Sequence, residues 1–253
     1  MAISGDILQG QIQAYWSNRF HCPAETLRRL VSVVMPDVEL EASGRVFIYH
    51  FGPCSLLRLD PQLALNLQLQ PGQELASSIT CQELQVITRL GMRHSVQVEV
   101  LDHGAYHYLD PLDFKPATNT LKPNLLQLNP ARDWERIEEL CQACDALEVE
   151  AAEIDRQNPD AVIFGHELDK ALISYAGFQV WEGIFADIGV LTHPRHRKKG
   201  MALAASSRIC NWCLEHDLIP MYRVSEANLA SGRIPIALGF QKIVDIEVLK
   251  VTP

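Results

Sequence analysis

Five consecutive residues that are basic or can become so, Arg195, His196, Arg197, Lys198 and Lys199, lie between a strand-like run and a helix-like one. Upstream, Ile188-Gly189-Val190-Leu191 reads as a strand end, and Thr192-His193-Pro194 breaks it. Downstream of Gly200, the apolar or small positions Met201, Leu203, Ala204, Ile209, Trp212 and Cys213 recur with helical spacing. N–H groups in the first turn of a helix lack partners and carry partial positive charge, and side-chain cations at the same turn reinforce it. The segment therefore predicts an anion site, best matched to a pyrophosphate.

Within it, Arg197-Lys198-Lys199-Gly200-Met201-Ala202 satisfies an Arg/Gln-x-x-Gly-x-Gly/Ala pattern, preceded by Val190-x-Thr192-x-Pro194. Leu218 to Tyr222 then reads as a strand, Asn228-Leu229-Ala230-Ser231 opens a helix, and Leu238-Gly239-Phe240 closes it. This ordered set resembles the GNAT superfamily of acyl-CoA-dependent N-acetyltransferases. No G-x-x-x-x-G-K-S/T and no G-x-G-x-x-G occurs, so the two common nucleotide-phosphate loops are excluded.

Charge makes the basic turn stand out. The chain carries a formal charge of -9, which argues against a general nucleic-acid binder and marks residues 195–199 as a local site. With 253 residues, 47% hydrophobic and 21% charged, it is globular, large enough for one large domain or two ordinary ones. No apolar run approaches the ~20 residues that span a bilayer, and the N-terminus lacks the pattern of a secretory signal. Cytoplasmic residence is the expectation. Seven cysteines fit a reducing compartment. The Cys141/Cys144 and Cys210/Cys213 pairs have zinc-like spacing but fall inside helical patterns, so packing is expected of them and no metal.

Taken in order, residues 5–20 predict a helix with Ile7, Leu8, Ile12, Tyr15, Trp16 and Phe20 on one face, and Pro23 to Val34 predicts a second with Leu27, Leu30, Val31 and Val34 inward. Residues 45–50 and 55–59 read as a strand pair across Gly52-Pro53. Asp60-Pro61 opens a short helical stretch, although Leu63, Leu65, Leu67 and Leu69 alternate as a strand would. A helix is expected from Thr80 to Leu90, with Thr80 and Glu83 as capping box and Gly91 as stop. Residues 95–101 alternate as a half-buried strand, and 104–116 look like an interdomain connection. Then come a strand at 124–128, a helix from Asn129 to Cys144, an acidic helix from Leu147 to about Gln157, and a turn at Asn158-Pro159-Asp160. Strands follow at 161–166, 171–181, 184–191 and 219–224, with a last one at 241–251.

The reading is an α+β (mixed α/β) chain: an accessory α+β domain over 1–117, then a GNAT-type central mixed sheet flanked by helices over 118–253. The first domain resembles the accessory domain of a bacterial GNAT subgroup. The strand ending at Leu191 is expected beside the one at 219–224; a V-shaped gap between them for the cofactor arm is implied by the resemblance alone.

That resemblance also implies acetyl-CoA as cosubstrate and a primary amine, most simply of a small molecule, as acceptor. N–H groups of Arg197 through Ala202, including Lys198, Lys199, Gly200 and Met201, would cradle the pyrophosphate, with Arg195, Arg197, Lys198 or Lys199 supplying charge. Lys198 replaces a Gly of many relatives, without consequence where its φ is negative. Backbone groups of Ile188, Val190 and Leu191 would pair with the pantetheine amides, and Asn228 with Ser231 would contact the cofactor arm. Asp187 occupies the position of an acidic general base; Glu182, His193 and Glu226 are reserves. Pro235 stands where many relatives place a Tyr that protonates the leaving thiolate, leaving Tyr222, Ser231 or water as substitutes. An acyl-CoA-binding or sensing module without turnover is the competing reading, and a peptide or protein amine a further acceptor class. Neither nucleic acid nor membrane is expected as a partner, and a homodimer is left open.

Overall fold

The computed structural model describes residues 4–80, 82–84, 97–117, 124–155, 157–158 and 161–252. Two compact units form, one from Met1–Tyr106, Val224–Leu229 and Lys242–Pro253, the other from His107–Arg223 and Ala230–Gln241. Each holds mixed sheet with helices against it, the mixed α/β architecture expected from the sequence.

In the first unit, helix α1 (Ser4–Arg19) and the turn after it bury Ile12, Trp16 and Phe20 at four-residue spacing. Trp16 meets the rings of Tyr49, Phe51 and Tyr106 at 4.8, 5.2 and 5.5 Å, a cluster of tilted and edge-on aromatic contacts. The sheet runs β4 (Glu74–Leu75), β1 (Ser32–Pro36), β3 (Cys54–Leu59), β2 (Arg45–Phe51), β11 (Gln241–Thr252), β5 (Gln97–Tyr108). Strands β2 and β3 form the expected hairpin, β1 lies parallel to β3, and β11 lies antiparallel to β2. Val34, Ile48, Leu57 and Leu249 pack into one core. Helix α2 (Pro61–Asn66) is capped by Asp60, whose carboxylate accepts from Gln62 N at 2.8 Å, which decides the leucine ambiguity in favour of the helix.

Two expectations fail here. The helix expected over 23–34 is a 3-10 turn, Ala24–Arg28, followed by β1. Leu30, counted as inward, is 65% exposed, while Val31, Ser32, Val33 and Val34 are buried in succession, as in a strand covered on both faces. The connection expected over 104–116 is strand as far as Tyr108. Of the helix expected over 80–90, the capping box is present: Thr80 N donates to Glu83 Oε2 at 2.7 Å and Glu83 N to Thr80 Oγ1 at 3.4 Å. Residues 85–91, the first two of the 95–101 strand, and Pro159-Asp160 of the 158–160 turn lie outside the described residues.

The second unit contains β6 (Leu125–Leu128), α3 (Pro130–Gln142), α4 (Ala146–Ala151), β7 (Ile163–Leu168), β8 (Ala171–Trp181), β9 (Phe185–Thr192), α5 (Met201–Glu215), β10 (Ile219–Ser225) and α6 (Leu229–Leu238). Strand order is β10-β9-β8-β7-β6, with β9 and β10 parallel and the other pairs antiparallel. Helix α3 packs Ile137 and Leu140 onto one face, against Leu172, Tyr175 and Leu191. Helix α5 lies on the other, with Trp212 against Phe178 at 5.5 Å and Arg208 over the Phe164 ring at 5.4 Å. Cys210 and Cys213 are buried on α5, while Cys141 and Cys144 are half-buried at the end of α3. No group of three or more His, Cys, Asp or Glu side chains among the described residues could hold a metal ion.

Candidate functional site

The basic turn leaves the end of β9 through a 3-10 turn, Pro194–His196. His193 Nδ1 accepts from Arg195 N at 3.2 Å, so this histidine caps the turn. Arg197 spans it: Nε donates to the Thr192 carbonyl at 3.1 Å and the guanidinium pairs with Glu148 on α4 at 2.6 Å. Arg195, Lys198 and Lys199 are exposed and have no ion pair among the described residues. Gly200 enters α5 at φ 78°, and the first bond back into the helix is Ala204 N to Gly200 O at 3.0 Å. The N–H groups of Met201, Ala202 and Leu203 come before that bond and have no intrahelical acceptor. Lys198 corrects an expectation: its φ is +59°, the left-handed region where glycine is the low-energy choice.

Parallel pairing between β9 and β10 runs Ile219↔Phe185, Pro220↔Ala186, Met221↔Asp187. Beyond Asp187, β9 continues to Thr192 paired, among the described residues, with β8 alone. Ile188 and Leu191 are buried and Val190 half-buried along this stretch. A backbone edge without a strand neighbour fits an amide-bearing chain laid beside it.

Asp187, where that edge begins, is only 4% exposed. Arg223 on β10 donates to its Oδ2 from Nε at 2.7 Å and from a terminal nitrogen at 2.6 Å, and the same nitrogen pairs with Glu153 just beyond α4. The guanidinium stacks over Trp181 at 4.9 Å. Gln179, the register partner of Asp187 on β8, donates to the Glu153 carbonyl at 3.0 Å. Burial pushes the Asp187 carboxyl up to about 7 against the pull of Arg223, with the nearby Glu153 carboxylate adding to the rise. The sequence analysis points to Asp187 but not to Glu153, Trp181 and Arg223, which the structure gathers around it. A signal existed, because Arg223 is the one charged residue in the otherwise apolar run Ile219 to Val224.

Tyr222 is fully buried, its hydroxyl 3.1 Å from Ser231 Oγ. Burial raises the phenol, so it stays protonated. Ser231, expected beside the cofactor arm, thus faces Tyr222, and Asn228 belongs to the first compact unit. Pro235 is buried inside α6, and its carbonyl accepts from Phe240 N at 2.9 Å. Of the reserves, Glu182 lies exposed in the β8–β9 turn at φ 50°, and Glu226 is exposed with its N–H on the His103 carbonyl.

Comparison with known proteins adds sequence evidence for part of the chain. A sequence model of the GNAT acetyltransferase family matches residues 166–249. No curated protein matches the chain. Among solved structures, a GCN5-related N-acetyltransferase from Sphaerobacter thermophilus superposes with a TM-score of 0.50 at 13% identity, covering 68% of this chain and 56% of that one. A GNAT-family acetyltransferase from Colwellia psychrerythraea gives 0.49 at 13% identity over 78% and 76%. A GCN5-related N-acetyltransferase from Kribbella flavida gives 0.48 at 15% over 66% and 63%. The chain thus spans about three fifths of the length of the Sphaerobacter and Kribbella proteins. At 13% identity the Sphaerobacter structure speaks for the fold alone. Over residues 166–249 this chain is similar in sequence to the GNAT acetyltransferase family.

Proposed function

We propose that the chain is an acetyl-CoA-dependent N-acetyltransferase acting on a primary amine, most simply of a small molecule, in the cytoplasm. One observation carries the reading: β9 loses its β10 partner just after a buried carboxylate, Asp187, and runs within a few residues into a basic turn that opens α5. A thioester held by the turn and the free edge would bring its acyl carbon toward that carboxylate, the element of proximity that acyl transfer needs. Asp187 would take the proton of the acceptor ammonium, and Tyr222 or a water would return one to the thiolate. Residues 118–253 would carry this chemistry, with 1–117 as accessory domain. Among the described residues no helix is long and apolar enough to cross a membrane.

The competing reading, an acyl-CoA-binding module without turnover, draws on Pro235 in the usual tyrosine position and on the burial of Tyr222, 1% exposed behind Ser231. Calorimetric titration with acetyl-CoA tests the foundation. Wild type should bind at micromolar concentration, and Arg195→Glu with Lys199→Glu should abolish binding; these two side chains are exposed, so their reversal should leave the fold intact. An amine library screened for thiol release then separates the readings. Turnover lost in Asp187→Asn with acetyl-CoA affinity retained supports the transferase, and binding without thiol release from any amine supports the module.

A further inference from the structure

Two carboxylates share one guanidinium at the β9–β10 junction. Arg223 uses two nitrogens on Asp187 Oδ2 and one of those again on Glu153. Its position is over-determined by the Trp181 face at 4.9 Å, and that of Glu153 by Gln179 gripping its carbonyl at 3.0 Å. Both carboxylates meet the same guanidinium nitrogen, which brings the carboxyl groups of Asp187 and Glu153 side by side. One cation neutralises one carboxylate, so the trio either carries an excess negative charge or holds one proton. The acids differ in access to water: the Asp187 side chain is 4% exposed, that of Glu153 31%. Around Asp187 stand Arg223 from β10, Glu153 from beyond α4 and its neutral register partner Gln179 from β8, with Trp181 against the guanidinium and the Tyr222 phenol within electrostatic reach.

We propose that Arg223 is a positioning residue which, stacked on Trp181, holds Asp187 and Glu153 as a pair sharing one proton, so that a proton taken up at Asp187 leaves for solvent through Glu153. The inference rests on the transferase reading for its source of protons. The proton moves from the acceptor ammonium nitrogen to an Asp187 oxygen, leaving a neutral amine with its lone pair. It then passes to a Glu153 oxygen, regenerating the Asp187 carboxylate, and finally to water. No electrons are exchanged and no further reactant is needed. Neither acid alone does both jobs: Asp187 is dry, and Glu153 is held beside it by the guanidinium they share.

The test is a carbon-13 NMR titration of the full chain labelled at aspartate carboxyls, with Asp187 identified by the resonance missing in Asp187→Asn. In wild type this resonance should titrate near neutral pH. Glu153→Gln should move its midpoint acidward by about one pH unit or more, because a neighbouring negative charge is removed. Arg223→Gln should move it alkaline by at least as much, and Arg223→Lys should recover most of that shift. With an amine that supports thiol release, the pH–rate midpoint should move in the same sense in each variant. An Asp187 midpoint that stays put in Glu153→Gln, a variant expected to fold, overturns the shared-proton pair. If acetyl-CoA does not bind, the transferase reading fails by itself, and with it the role in catalysis, while the titration still decides the pairing.

Discussion

Gly189 in β9 approaches the backbone carbonyl of Ala152, the residue that caps the C-terminus of α4, so closely that a β-carbon at 189 would overlap that oxygen. The contact brings α4 onto β9 and sets Glu153, the next residue, beside Asp187. Gly177 is the register partner of Gly189, and there a β-carbon would overlap the Tyr175 hydroxyl. Gly189→Ala should therefore push α4 off the strand, costing roughly 1–3 kcal/mol. Thermal unfolding should show a Tm lower by at least ~2 °C, since each kcal/mol moves a chain of this size by about 2–4 °C. An unchanged Tm would mean that α4 yields freely and does not position Glu153.

Lys198 holds φ +59° two residues before Gly200 at φ +78°. A left-handed conformation costs an L-residue about 1–2 kcal/mol, and glycine escapes most of it while losing more entropy on folding. Lys198→Gly should raise stability by about 1 kcal/mol at most, roughly 2–4 °C in Tm. It also removes an exposed cation from the turn, for which a loss of acetyl-CoA affinity of about threefold is the expected scale. Differential scanning calorimetry and a binding titration on the same variant check both; a fall in Tm would contradict the strain.

The elements legible in the sequence are those whose pattern is local. Trp16 and Phe20 at helical spacing, the Gly52-Pro53 hairpin, and the passage from Ile188 through the basic turn to Met201 all declare themselves within a few residues. Strand β1 does not, because its burial comes from parallel pairing with β3, some twenty residues on. Gly104 looked like a linker residue. It sits within β5, where a β-carbon would overlap the Val224 carbonyl, a close approach that no window around residue 104 reveals. The same holds at the site. Asp187 is singled out through the family resemblance, whereas its partners Arg223 and Glu153 come from distant elements that only the register of β9, β10 and α4 brings together.

His166 on β7 is fully buried, with Nδ1 2.8 Å from Ser174 Oγ. Ser174 Oγ also accepts from His166 N at 3.1 Å, so one hydroxyl meets both the backbone and the ring of this histidine. Burial lowers its pKa from the ordinary 6.5. The unfolded chain then binds the proton more readily than the folded one below about pH 6.5. This contribution to stability is whole above that pH and is lost as pH falls toward the depressed folded value, by at most about 1.4 kcal/mol per unit. His166→Gln should remove it, so the Tm drop between pH 7.5 and pH 5.5 should be smaller in the variant. Parallel melting curves for wild type and variant would count against a buried neutral His166.

Tyr222 and Ser231 share a hydrogen bond of 3.1 Å at a buried site, and α6 carries Pro235 where a hydroxyl donor is usual in the resembling family. Tyr222→Phe removes the hydroxyl with little change of volume, and it should cost about 1 kcal/mol of stability. If the phenol supplies the proton to the departing thiolate, thiol release should fall by roughly a hundredfold or more, and acetyl-CoA affinity should stay near wild type because the basic turn is untouched. Ser231→Ala separates structure from chemistry. It breaks the same hydrogen bond but keeps the donor, so it should share the stability loss while retaining most of the turnover. Equal turnover in Tyr222→Phe and wild type would assign the returning proton to water, and would leave the burial of Tyr222 as packing beneath Phe240, whose ring lies 6.1 Å away edge-on.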